Sequence, residues 1–506
     1  MKDKIIIWIY NSLFYFPLAK AIKDNYDCDL FALVDITDRP KVFFEQQSFV
    51  KFQKIWYYHD HITKNNTKPD LKYLEYFEQK YKINLWTLAY NDRIFFEHNE
   101  YHKFTTDEVL SIITDECKLF ESMLDEVNPD FIIMETPFLN HSYLFYLICK
   151  QRGINLLILR YARIGYKCFI SNEDEAVDYK VKSSKVVNNR TFEELQNYQK
   201  QFDLYTQAVT DWKSKFANSK LAMLTAAMQY FLFSDNSNVR THYTYYGRTK
   251  LRVLIKSILY SLRTRYRKSF VDKHLTRELA DNDKFIFFPL HLEMEYALLI
   301  LAPFYTNQIE VIKNIVKSLP IGYKLYVKEN PLMHVRGWRS ISDYKKIMNL
   351  PNVVLLHPTV NPKEIVKRSS LVISISGTTS FDAGFYGKPS IVFVDTVFSM
   401  VPWVHRLKGV EELPKSIRLS LNKEVKASDV DDYVNFIDEI SFKFDYVGII
   451  QNLQDFFHYG GFLVDVDISM EKMKKYLDLS KSEYEQLALE HIKKIKQYKE
   501  AKFRSS

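Results

Sequence analysis

Residues 371–393, LVISISGTTSFDAGFYGKPSIVF, set four hydroxyl side chains and one glycine where an apolar run stops and a helical pattern starts. Gly377 has no side chain, so a ligand can approach the backbone closely there. The amides of Thr378, Thr379 and Ser380 are expected as free donors at a helix start, with Ser376 at the strand end before them. Free amides and the helix dipole together favour an anion. Thr379-Ser380-Phe381-Asp382 has the spacing of a capping box, with Asp382 in place of the usual Glu. Simple helix capping accounts for this motif equally well, so the other strand ends decide between the two.

Those strand ends are polar as well. The run Phe285–Pro289 leads into Leu290-His291-Leu292-Glu293-Met294-Glu295, Lys324–Lys328 into Glu329-Asn330-Pro331, and Val353–Leu356 into His357-Pro358. Several titratable or hydrogen-bonding groups converging on one edge make a candidate site.

The elements that must position these groups form a regular series. From Lys284 onward the sequence alternates strand and helix. The helical patterns are Ile309–Ser318, Ile341–Asn349, Pro362–Ser369 and Ser380–Tyr386, and the later strands are Leu371–Ser376 and Ser390–Val394. Such alternation predicts a doubly wound parallel sheet, which binds ligands at the carboxyl ends of its strands. The N-terminal part opens in the same way, with a strand at Ile5–Ile9, a helix at Leu13–Asp24 and a strand at Leu30–Val34 ending in Asp35. After a mostly helical and polar stretch, 40–128, the pattern resumes with Asp130–Met134, Leu144–Arg152 and Ile154–Leu159. The expected division is an N-terminal Rossmann-like domain over 1–175, a helical basic insertion over 176–280, a C-terminal Rossmann-like domain over 281–425 and a helical tail over 426–506, with no strand after about residue 395.

The insertion carries a distinct charge pattern. No acidic residue occurs from Asn236 to Val271, while Arg240, Arg248, Lys250, Arg252, Lys256, Arg263, Arg265, Arg267 and Lys268 fall within it. Leu251, Leu254, Ile255, Ile258, Leu259 and Leu262 lie between them at helical spacing. This basic amphipathic pattern reads evenly as a solvated surface helix or as a contact for an anionic membrane surface or anionic substrate.

Composition limits the remaining classes. The 506-residue chain is 47% hydrophobic, enough for sizeable cores, and its net charge of +8 is mild for this length. With no recognisable nucleic-acid motif in the basic span, nucleic acid is not expected as a partner. Cys28, Cys117, Cys149 and Cys168 are far apart and without a CxxC, the usage of a reducing compartment. MKDKIIIWIYNSLFYF has no small-residue cleavage site and reads as a first buried strand. No apolar run approaches the length of a membrane-spanning helix.

FFPLHLEMEYALL, NQIEVI, LPIGYKLYVKENP and ISGTTSFDAGFYGKPSIVF together resemble the C-terminal domain of bacterial capsule polysaccharide biosynthesis proteins, over about residues 284–405. A weaker likeness runs through 129–174. The family is glycosyltransferase-like, with GT-B architecture, two Rossmann-like domains facing a cleft. Its pattern reads L-H-x-x-P-E, a Gln-bearing helix, V-K-E-H-P, and a G-T-x-x-x-E-A stretch before G-K-P. Here the Pro is Met294, a departure expected to matter little; the His is Asn330, which can donate a hydrogen bond but carries no proton; and the Glu is Asp382.

The resemblance implies a nucleotide-sugar donor as substrate, a glycan or lipid-linked glycan as acceptor, and neither a metal nor a separate cofactor. It implies that His291, Glu295, Lys328, Asn330, Asp382 and Ser376–Ser380 hold the donor and its phosphate. A base on the opposite domain must take the acceptor's proton. Glu135, after Asp130–Met134, is the first candidate and Asp35 the second. Arg160 and Arg163 would bind an anionic sugar or acceptor, or form surface pairs. The expected location is cytoplasmic, peripheral on the inner face of the plasma membrane. A teichoic-acid-type polyol-phosphate transferase, a nucleotide-sugar epimerase and a non-catalytic glycan- or nucleotide-sugar-binding partner in capsule export are the competing expectations.

Overall fold

The computed structural model describes residues 2–10, 12–62, 68–174, 188–200, 228, 230–232, 242–458 and 466–505. Strands form where the apolar runs are continuous. In chain order they are β1 Asp3–Ile9, β2 Cys28–Val34, β3 Ile55–Tyr57, β4 Phe131–Met134, β5 Asn155–Tyr161, β6 Lys167–Ser171, β7 Lys284–Pro289, β8 Tyr323–Lys328, β9 Val353–Leu356, β10 Leu371–Ser374, β11 Ser390–Val392, β12 Val404–Arg406 and β13 Phe442–Lys443. They build two sheets, ordered β13-β6-β5-β4-β1-β2-β3 and β12-β11-β10-β7-β8-β9. All pairs of the second sheet are parallel. The first is parallel except where β6 runs antiparallel to β5 and β13. The expected α/β class with two doubly wound sheets is therefore observed.

The chain divides into two compact units. One comprises Met1–Asp178, Gln201–Arg252 and Ile440–Ser506; the other comprises Tyr179–Lys200 and Val253–Glu439. Successive side chains of a strand point to opposite faces. In β1, Ile5, Ile7 and Ile9 enter one core while Ile6 and Trp8 enter another. In β7, Ile286 and Phe288 face one core and Phe285 and Phe287 the other. Sheets covered on both faces explain why these strands are apolar throughout. The N-terminal run forms the buried strand expected of it. All four cysteines are free and buried. Among the described residues no helix is long and apolar enough to cross a membrane.

The structure corrects the reading at several points. The segments 176–280 and 426–506 each divide between the two units. Leu487, Ala488 and Ile495, in the helix Lys481–Ser505, share a core with Ile5, Phe14 and Leu18. Two strands, β12 and β13, occur after residue 395, and each lies at a sheet edge. An edge strand has one strand partner and need not be apolar on both faces, so Val404-His405-Arg406 and Phe442-Lys443 carry little strand pattern. The short β3 and the antiparallel β6 were also outside the expected set. Of the basic span, 236–241 with Arg240 lies outside the described residues.

Candidate active site

In the second unit, His291 follows β7 and is fixed from several sides. Its N–H donates to Gln308 Oε1 at 2.7 Å, and Gln308 Nε2 donates back to its carbonyl at 3.2 Å. Arg339 Nη2 also donates to that carbonyl. The imidazole Nε2 accepts the Ser376 N–H at 3.4 Å. Burial, with help from the Arg339 charge, lowers the His291 pKa to about 4. His291 is thus neutral at physiological pH and anchors the loop after β10, rather than offering a cation to a phosphate.

Behind it lies a buried ion pair. Arg339 Nε meets Glu329 Oε2 at 2.9 Å, with side-chain exposures of 4% and 0%. Tyr344 Oη donates to the same oxygen at 2.7 Å, and the Asn330 N–H donates to Oε1 at 2.7 Å. Arg339 also pairs with Glu293. Glu329, Arg339 and Gln308 were not singled out from the sequence as site residues. The available signal was the Glu of V-K-E-N-P and the Gln-bearing helix, both present in the quoted motifs.

Asn330 Oδ1 caps the short 3₁₀ helix Pro331–His334 by accepting the Leu332 N–H at 2.9 Å. Glu295 is paired with Arg336. Asp382 accepts from Gln199 Nε2 at 2.5 Å. Met294 has φ of 66°, a region that proline, locked near −65°, cannot enter. The Pro-to-Met departure therefore matters, because this loop follows a path the family's proline would not allow.

The opening stretch is organised differently from expectation. Gly377 does not have a positive φ, and a Cβ placed there would lie 3.0 Å from His291 Cε1. The missing side chain makes room for the imidazole. Ser374 Oγ accepts the Gly377 N–H at 3.0 Å and lies 2.7 Å from Ser380 Oγ. Ser380 is fully buried, and its amide donates to the Gly377 carbonyl at 3.1 Å. Ser376 is buried too, with Oγ donating to the Ala297 carbonyl at 2.8 Å. Thr378 takes the N-cap position with φ −63°, ψ −19° and no side-chain cap bond, so the expected capping box is not formed. Only Thr378 and Thr379 of this loop keep amides without a hydrogen-bond partner among the described residues, and both are half-buried. Gly387 does end the segment as expected, at φ 66°.

Lys328 closes β8 and is 5% exposed. Its Nζ makes one long contact, 3.4 Å to the Glu329 carbonyl, and no ion pair among the described residues. Burial lowers its pKa to about 8. Strand alternation puts Lys328 and Ser374 on the same face as Tyr326 and Val372. With β7 between β8 and β10, the two strand ends lie roughly 10 Å apart. An unpaired buried ammonium and the Thr378 and Thr379 amides therefore lie at the same carboxyl edge of this sheet. Gly377→Ala is expected to push His291 off the Ser376 amide and cost about 1–3 kcal/mol, read by chemical denaturation.

The first unit presents a separate cluster at its strand ends. Asp35, buried after β2, accepts from His59 Nε2 and His141 Nε2, each at 2.9 Å. Burial alone would raise the Asp35 pKa, but His141 and His59 outweigh it and hold the carboxyl well below its usual range. Asp35 is thus a permanent anion, unsuited to take a proton. His141 stacks on Tyr58, 4.7 Å between ring centroids; Tyr58 Oη bonds Glu116 and lies 3.0 Å from Tyr243 Oη. Burial pushes the Glu116 pKa up to about 7.

Glu135 follows β4, on the other side of β1 from β2. Its side chain is half-buried and has no hydrogen-bond or ion-pair partner among the described residues. Burial, and then the Asp35 charge, raises its pKa to about 8. Next to it, Thr136 Oγ1 accepts from Arg160 Nη1 at 2.9 Å, and the same nitrogen meets Asp174 at 2.7 Å. Arg160 therefore forms an ion pair, but a buried one that braces the Glu135 loop. Arg163 sits at φ 59° between β5 and β6.

These features place the chain among α/β proteins whose sites lie at the carboxyl ends of parallel strands. Residues 193–403, less than half of the chain, match the capsule polysaccharide biosynthesis protein family. The match bears out the resemblance carried by the strand-end motifs. Among curated proteins none matches this chain. Solved structures with a similar fold include the UDP-GlcNAc 2-epimerase of Methanocaldococcus jannaschii, at 12% identity over 87% of this chain and 99% of that one, with a TM-score of 0.26. Another is KpsC of Thermosulfurimonas dismutans, a beta Kdo 2,7 transferase, at 11% identity over 70% and 88% of the two chains, with a TM-score of 0.28. At such scores the likeness carries no argument about activity.

Proposed function

We propose that the protein is a glycosyltransferase that moves a sugar from a nucleotide-activated donor onto a surface glycan, capsular or lipopolysaccharide in type. The observation that carries this reading is the pair of acids at the first unit's strand ends. Glu135 has no partner among the described residues and is raised to about 8, while Asp35 is held ionised by two histidines. Acids pushed apart in this way divide their roles, one exchanging a proton near neutral pH and the other remaining a fixed charge. The family match over 193–403 supports the substrate class.

In the proposed reaction the acceptor hydroxyl oxygen bonds to the anomeric carbon as that carbon's bond to the donor phosphate breaks. Glu135 takes the hydroxyl proton. Within the second unit, the Lys328 ammonium and the Thr378 and Thr379 amides are the groups suited to stabilise the charge of a phosphate. No metal takes part in this scheme, so transfer should survive a chelator. The test is incubation of the full chain with a panel of CMP-, UDP- and GDP-sugars and a glycan acceptor, followed by mass spectrometry. Free nucleotide appearing together with a lengthened glycan supports the reading. An isomerised donor without acceptor would identify an epimerase, and binding without turnover a non-catalytic partner.

The pH dependence follows from the same groups. A carboxyl titrating at about 8 is about one-tenth ionised at pH 7, so kcat/KM should rise about tenfold per unit below pH 7 and about fivefold from pH 7 to pH 8. Above about 8 the free Lys328 loses its charge, and donor capture should fall. The expected profile is a bell near pH 8. A profile flat below that value would assign the proton transfer to another group.

A further inference from the structure

The helix Lys250–His274 is held along one line and bare along the opposite one. On the held line, Tyr260 Oη donates to the Val335 carbonyl at 2.7 Å and Arg267 Nη1 to the Trp338 carbonyl at 2.7 Å. Val271 is fully buried on that line. Gly337, at φ 80°, leaves room for Tyr260, which a Cβ there would meet at 2.7 Å. The opposite line carries Ile255, Ile258, Leu259, Leu262 and Tyr266, all between 49% and 71% exposed. At about 100° per residue these five fall within an arc of roughly 100°. Arg263 and Lys256 border one edge of the arc and Arg265 the other, and the helix has no acidic residue before Asp272.

An ordinary surface helix turns its apolar arc to the core and its charges to water. Here the apolar arc faces outward, and only cations frame it. We propose that this face docks on an anionic lipid surface. The charge pattern selects that occupant. A second copy of the same face would bring like charges together, which disfavours self-pairing. An anionic bilayer offers apolar depth for the Ile and Leu side chains and negative charge for both borders. The arc spans Ile255 to Tyr266, roughly 18 Å of helix lying flat, with an amphipathic tyrosine ring suited to the interface near its end. The inference is independent of the proposed chemistry, since it would deliver the protein to a membrane surface whatever reaction it performs there.

The test is flotation of the full chain with vesicles of phosphatidylcholine alone and of phosphatidylcholine mixed with phosphatidylglycerol. Binding is expected only to the mixed vesicles and should weaken as salt rises. Removing Lys256, Arg263 and Arg265 together, each to Gln, should weaken it on the order of a hundredfold, at roughly fivefold for each cation. Ile258→Asp with Leu262→Asp should abolish it, while circular dichroism stays that of the wild type because both positions are exposed. Equal binding to both vesicle types, binding to neither, or binding unaffected by the Asp pair would overturn the proposal. So would a concentration-dependent dimer that the Asp pair dissolves in the absence of vesicle binding.

Discussion

Glu135→Gln is expected to lower sugar transfer by about 10²–10⁴, the usual share of a general base, and at the same time to make the protein more stable at pH 8. The two effects have one cause. The Glu135 carboxyl titrates at about 8 in the folded chain, whereas an unfolded glutamate titrates near 4.3. Between these values the folded state holds a proton that the unfolded state has released, so folding stability falls as pH climbs through that window. Glutamine keeps the shape and removes the titration. The variant should therefore melt close to the wild type at about pH 4 and above it at pH 8, with the gap opening between. A merely misfolded variant would lose activity and stability together. Transfer assays and thermal melts across this range read both quantities, and donor affinity should be unchanged. Wild-type transfer in Glu135→Gln would move the base to His59, which bonds Asp35 through Nε2 and leaves a buried Nδ1 without a partner among the described residues.

How much of this was legible in the sequence follows from what each feature needs. Strands β1, β2, β4 and β5 and the second unit's inner strands are buried on both faces, so their residues read as plain apolar runs. The edge strands β12 and β13 carry polar residues and β3 is only three residues long, so they do not, whereas the edge strand β9, Val353–Leu356, is apolar and does. Glu135 and Asp35 were visible because each directly follows an apolar run, where a parallel sheet presents its ligand edge. Their roles were not visible. Asp35 is disqualified as a base by His59 and His141, which arrive from after β3 and after β4 and meet only in the folded chain. Gly377 was recognised as special, but the contact that its missing side chain permits in the folded chain is with His291 from β7's end, which no local pattern announces. Ser380 looked like an anion donor because hydroxyls after a strand are ambiguous, and its burial with Ser374 is a tertiary fact. Arg339 was missed because it follows no strand and carries no local motif; its meaning is the Glu329 carboxylate it neutralises.

Arg339→Met is expected to cost about 3–5 kcal/mol of folding stability, because it leaves the Glu329 carboxylate buried without its cation. Tyr344 and the Asn330 amide would still donate to Glu329, but hydrogen bonds from neutral groups do not replace a charge at a fully buried site. Loss of the Arg339 charge also relieves one of the causes that keep the His291 pKa near 4. His291 should then protonate at less acid pH and cease to accept the Ser376 amide, loosening the Ser376–Thr379 loop. Donor affinity should drop with stability. Arg339→Lys would keep the charge without the planar fork, so an intermediate loss is expected. Adding Glu329→Met to Arg339→Met removes the stranded anion and should restore part of the lost stability, since apolar replacements of a buried pair are often tolerated. Chemical denaturation of the single and double variants at pH 5 and pH 8 measures all of these. A double variant as unstable as Arg339→Met at both pH values would show that the side chain's packing, not its charge, holds this end of the sheet.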